Sequence, residues 1–136
     1  MIDNKDFFNI PRNFKEEKKA LISIGIDSLF KLQGIRDSDI LKIVNIRDSL
    51  ATAKNLKRLR CIATLMWELE IPQEEAALLM HSGVASIKAL ASLTPQELLN
   101  RAGRLERLLN SQRTSPINLQ KANVLITKAK NRQKNN

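Results

Sequence analysis

The chain is 136 residues long, enough for one ordinary domain or two very small ones sharing a core, since independent cores become marginal near about 60 residues. Apolar residues make up 43% and aromatics 4%, a profile that suits Leu/Ile/Ala helical packing and leaves a sheet short of its usual formers. The formal charge of +9 bears on partners and solubility, and a single cysteine excludes a disulfide framework or a thiolate metal site.

Residues 1–8 are acidic and polar where a signal peptide is basic and then apolar, and the longest apolar stretch, 61–67, is far too short to span a bilayer. A cytoplasmic protein without a membrane segment is expected. A first helix is expected from Asn13, with Glu16 three residues on, ending near Gly25. Ser28 and Asp37 then cap further helices. A long helix over 56–69 follows, with Leu56, Leu59, Ile62, Ala63, Met66 and Leu69 on one core-facing stripe. Within it, Cys61 reads as a buried small hydrophobe.

The punctuation is clearest in the second half. Pro72 at a first helical position, Glu74 and Glu75 in the first turn, His81 in the last and Gly83 just beyond define one helix. Ser86 caps the next, over 87–93. Thr94-Pro95-Gln96-Glu97 forms a capping box that starts a helix through Ala102. A short helix over 105–110, a polar loop and a long helix opened by Ser115-Pro116 complete the order. No apolar anchor follows Ala129, so the basic end over 128–136 is expected to fray.

Laid at an offset of 58, residues 16–50 match 74–108 without a gap, with identities such as Glu16/Glu74, Glu17/Glu75, Gly25/Gly83, Ser28/Ser86, Leu32/Leu90, Leu41/Leu99 and Leu50/Leu108. Apolar positions agree between them, as at Leu21/Leu79, Ile26/Val84, Leu29/Ile87 and Ile40/Leu98. The expected fold is all-α, a tandem pair of pseudo-repeated helical bundles over 1–70 and 71–131, followed by a basic tail over 132–136.

The repeated pattern, Leu-x-x-x-Gly-Ile/Val-x-Ser-Leu/Ile-x-x-Leu followed by a Thr/Asp-capped helix, resembles the helix-hairpin-helix (SAM-like) class. More closely, it looks like an uncharacterised bacterial family, a domain of unknown function, with tandem hairpin domains. Similar hairpins occur in the amino-terminal domain of RadA-type recombination proteins and the carboxy-terminal domain of the bacterial RNA polymerase alpha subunit. The resemblance rests on Leu21, Gly25, Ile26, Ser28, Leu29 and Leu32, and on Leu79, Gly83, Val84, Ser86, Ile87 and Leu90. It implies that backbone amides at a helix start contact phosphate, aided by a basic residue.

The sequence departs from the DNA-binding pattern of that class, because each hairpin has one glycine and Asp27 stands beside the first. The second hairpin, with Gly83, Ser86 and Lys88, is the better candidate for nucleic acid. A glycine C-cap and a serine N-cap explain the same residues structurally. Residues 1–70 carry 13 basic and 10 acidic groups, while residues 71–136 carry 10 and 4. Arg101, Arg104 and Arg107 recur every third residue, Lys54, Lys57 and Arg58 gather at the start of the first long helix beside Arg60, and Lys128, Lys130 and Arg132 mark the end. Each patch is a phosphate-following surface or a solvated helix face.

Chemistry finds little footing. His81 is the sole histidine, the Glu16-Glu17 and Glu74-Glu75 pairs are explained by first helical turns, and neither a glycine-rich phosphate loop nor metal-ligand spacing appears. The expectation is a non-catalytic accessory protein, without cofactor or small-molecule substrate, that binds nucleic-acid backbone without strong sequence preference. The alternative is an interaction adaptor whose basic surface meets an acidic protein. A lipid-surface role ranks behind both.

Overall fold

The structure, a computed structural model, describes residues 14–108 and 117–134, apart from the side chains of 104–108. Its elements among the described residues are all helices: α1 (Lys15–Ser23), α2 (Leu29–Leu32), α3 (Asp37–Val44), α4 (Ala53–Leu69), α5 (Gln73–His81), α6 (Ile87–Ala91), α7 (Pro95–Leu108) and α8 (Leu119–Lys134). No helix among these residues is long and apolar enough to cross a membrane. The chain divides into two compact units, Met1–Thr64 and Leu65–Asn136, with the boundary inside α4.

In the first unit, the expected start at Asn13 lies outside the described residues. Phe14, fully buried, occupies the position before α1 without a side-chain cap. The helix ends in a Schellman turn, with Gly25 at φ 88, its N–H on the Ile22 carbonyl at 3.0 Å and the Ile26 N–H on the Leu21 carbonyl at 2.9 Å. Ser28 then caps α2 by accepting the Lys31 N–H at 3.4 Å.

The expected Asp37 cap is corrected. Arg36 holds the cap position, its N–H donating to Asp39 Oδ2 at 2.8 Å, while Asp37 opens the helix and its carboxylate meets Arg60 Nη1 at 2.9 Å. The acid three residues into α3 serves the free backbone donor, so Asp37 is released to pair. The long helix starts at Ala53, three residues ahead of expectation, because Thr52 Oγ1 accepts the Asn55 N–H at 3.2 Å. Its stripe of Leu56, Leu59, Ile62, Ala63, Met66 and Leu69 is at most 1% exposed, each large member contributing about 1.5–3 kcal/mol by burial. Cys61 is only half-buried, on the flank of that stripe rather than in it.

In the second unit, Pro72 is the N-cap of α5 rather than its first residue, with extended ψ 157. His81 falls in the last turn and Gly83, again at φ 88, closes the helix through its own N–H on the Met80 carbonyl at 3.1 Å and the Val84 N–H on the Leu79 carbonyl at 2.9 Å. Ser86 caps α6, two residues shorter than expected, by accepting the Ala89 N–H at 3.0 Å. The Thr94–Glu97 capping box forms in both directions, at 3.0 and 3.1 Å.

From there α7 runs unbroken through Leu108, where a break after Ala102 is expected. A single glycine, Gly103, costs about 1 kcal/mol in a helix interior, less than a fresh nucleus for a separate helix. The Ser115-Pro116 start lies outside the described residues; α8 begins at Leu119, capped by Asn118 Oδ1 on the Lys121 N–H at 2.8 Å. It reaches Lys134 without fraying at 128, with Arg132 and Lys134 at the negative end of the helix dipole. Ala122, Leu125, Ile126 and Ala129 bury its inner face, and α8 packs against both α6 and α7.

Candidate functional site

The two hairpin turns share one local geometry and differ in charge. In each, the glycine amide and the next amide are spent on carbonyls of the preceding helix, and the serine oxygen accepts from the following one. Gly83 and Ser86 are therefore occupied in shaping the turn. What the second turn offers an anion is an exposed backbone without a Cβ, the Ser86 O–H still able to donate, and the cations around it.

Arg101 is the nearest of these. A Cβ built on Gly83 meets Arg101 Nη1 at 3.7 Å, so α7 lays its guanidinium against the turn between α5 and α6. Lys88 is exposed on α6, and α8 supplies exposed Lys130 and Arg132 with half-buried Lys128. Of the helices carrying these side chains, α6 and α7 each pack against α8. Arg104 and Arg107 lie on the α7 backbone, with side chains outside the described residues.

The first turn is electrically closed. Lys31 Nζ meets Asp27 Oδ1 at 2.9 Å and the Gly25 carbonyl at 3.4 Å. The hydrogen bond and charge of Lys31 hold the Asp27 carboxyl below its usual range. On α4, Lys54 and Lys57 are exposed and Arg58 is half-buried, whereas Arg60 is tied to Asp37 and to the Ile35 carbonyl at 3.3 Å. The ion pairs among the described residues engage Lys19, Lys31, Arg36, Arg47, Arg60 and Lys121. Lys54, Lys57, Lys88, Arg101, Lys130 and Arg132 enter none of them.

A domain of unknown function (DUF4332) matches residues 11–132. The chain belongs to that family. No curated protein and no solved structure matches it. Among the described residues of this DUF4332 chain, no group of three or more His, Cys, Asp or Glu side chains is placed to hold a metal ion.

Two residues escape a reading of the sequence. Glu17 and Glu75, taken as first-turn acids, are 2% and 6% exposed. Glu17 Oε2 accepts the Thr52 N–H at 2.9 Å, and Glu75 Oε1 meets Lys121 Nζ at 2.9 Å. Each carboxylate thus ties the first helix of its unit to the start of that unit's last helix. Their identity at equivalent positions of the repeat was the available signal. Lys121, paired in this way, is withdrawn from the free basic surface.

Proposed function

We propose that this chain is a tandem pair of helix-hairpin-helix-like units and a non-catalytic accessory protein that binds the phosphate backbone of nucleic acid without strong sequence preference. The observation that carries the reading is Arg101 against the Gly83 turn, a planar guanidinium beside backbone that no side chain shields. A phosphate there gains two parallel N–H donors from Arg101. Lys88 and the α8 cations Lys130 and Arg132 extend the track, each neutralised phosphate adding affinity through counterion release. Contacts of that kind fix position without reading bases. The first unit, with its hairpin cation paired to Asp27, acts mainly as scaffold. One half-buried thiol suits a reducing compartment, so a cytoplasmic site of action goes with this reading.

Fluorescence anisotropy with duplex and single-stranded DNA and RNA at several salt concentrations tests it. Binding of all probes, weakening steeply with salt, is the expected result. No binding at low salt contradicts it and leaves the basic surface to an acidic protein.

A further inference from the structure

The side of α8 turned away from the core carries amides, a hydroxyl and a branched alkyl group rather than mixed charges. Ala122, Leu125, Ile126 and Ala129 are buried, and the opposite stripe of Gln120, Asn123, Val124, Thr127, Asn131 and Lys134 is exposed. A solvated helix face ordinarily mixes acids with bases one turn apart, as α1 does with Glu16 and Lys19. From Leu119 to Lys134 there is no acid. Asn, Val and Thr also rank low as helix formers, so their place at exposed positions, where packing does not choose the residue, runs against local preference. Conflicts of that kind concentrate where function chooses the residue.

The polar groups of this stripe are unspent. Asn123, Thr127 and Asn131 follow one another at i,i+4 spacing and make no side-chain hydrogen bond among the described residues. On α7 exposed amides at that spacing pair with each other, Gln96 Nε2 donating to Asn100 Oδ1 at 2.9 Å, and on α4 the Thr64 hydroxyl returns to the Arg60 carbonyl at 2.9 Å. The α8 stripe instead holds out groups that donate and accept, the 40% exposed Val124 methyls, and exposed Lys130 and Lys134 toward its carboxy-terminal end. Free of acids and bordered by cations, it complements a polyanion. Its amides, hydroxyl and methyls match the base edges of a B-form major groove, where Asn or Gln takes adenine N6 and N7 and an alkyl group meets the thymine methyl. That groove, about 12 Å wide, admits an α-helix, whereas the deep, narrow major groove of duplex RNA does not. We infer that the outer face of α8 enters the major groove of duplex DNA, with Asn123, Thr127 and Asn131 on base edges and Lys130 and Lys134 on the flanking phosphates. The inference rests on the nucleic-acid reading above and adds to it a modest preference among DNA duplexes.

Selection from a pool of randomised DNA duplexes, followed by anisotropy titration of the most enriched and the most depleted sequence, tests the inference. Wild type is expected to prefer the enriched duplex by about tenfold, the worth of one bidentate base contact. Asn123→Ala combined with Thr127→Ala is expected to abolish that preference, while affinity for the depleted duplex, affinity for duplex RNA and the salt slope stay at wild-type values. Both changes install a better helix former at an exposed position, so the fold is retained, which circular dichroism checks. Lys130→Ala does the reverse, lowering the slope by about 0.9 and leaving the preference intact. Wild type that binds every DNA duplex alike, or a double variant that keeps the preference or weakens equally on duplex RNA, overturns the α8 contact and leaves the backbone reading standing. Wild type that binds no nucleic acid at low salt overturns both.

Discussion

Glu17 Oε2 accepts the Thr52 N–H at 2.9 Å, while Oε1 takes Asn55 Nδ2 at 3.4 Å, so a side chain from the first turn of α1 caps the start of α4 across 35 residues of sequence. Helix starts leave unpaired amides, and a carboxylate there satisfies both the donor and the dipole. Glu17→Ala takes the acceptor from the part-buried Thr52 N–H and is expected to cost about 1 kcal/mol, the usual loss of a helix cap. Glu17→Gln keeps an acceptor and costs less. Urea unfolding at unchanged slope measures both; equal losses for the two contradict the capping role.

The counterpart in the second unit is an ion pair, Glu75 with Lys121, beside a Glu75 Oε2 that has no hydrogen-bond partner among the described residues. Removing the cation leaves a buried carboxylate uncompensated, a loss of about 3 kcal/mol at the buried limit. Lys121 is 34% exposed, so solvent screens part of it and about 1–2 kcal/mol is expected for Lys121→Met. Adding Glu75→Gln to Lys121→Met is expected to recover stability. A double variant less stable than Lys121→Met contradicts this account of the pair.

Local signals made much of the fold legible. The α4 stripe follows from apolar spacing, Ser28 and Ser86 from their place before short helices, and Gly25 and Gly83 from the need for positive φ after a helix. Long-range chemistry was not legible. A first-turn glutamate is solvated or buried according to partners distant in sequence, and neither Thr52 nor Lys121 announces itself as one. Asp37 has the residue type of a cap, but Arg60 claims its carboxylate. At the site, sequence spacing grouped Arg101 with its own helix neighbours; its approach to Gly83 depends on how α7 lies in the unit.

Both hairpin glycines stand at φ 88, a conformation that costs an L side chain about 1–2 kcal/mol. Gly25→Ala meets open space and Gly83→Ala meets Arg101 at an ordinary 3.7 Å, so backbone strain dominates in each. Thermal unfolding is expected to show comparable destabilisation by the two substitutions. A neutral effect at either position contradicts the strained geometry.

Burial pushes the Cys61 thiol up from 9.0 to about 11, with a smaller opposing pull from Arg60. At pH 9 roughly half of an unfolded thiol is thiolate against about 1% in the folded chain, so alkylation by iodoacetamide is expected to run roughly fifty-fold slower in the native protein than in urea. The raised value favours the folded state's neutral form, hence stability falls as pH rises from 9 toward 11. Equal alkylation rates in the two states contradict the half-buried placement.

The central claim is that Arg101 and Lys88 contact phosphate. Its most direct measurement is the slope of log affinity against log salt for wild type, Arg101→Ala and Lys88→Ala on several unrelated duplex sequences. Each substitution is expected to weaken binding to every sequence alike and to reduce the slope by about 0.9, one phosphate contact. An unchanged slope, or a loss confined to one sequence, contradicts backbone recognition at the second hairpin.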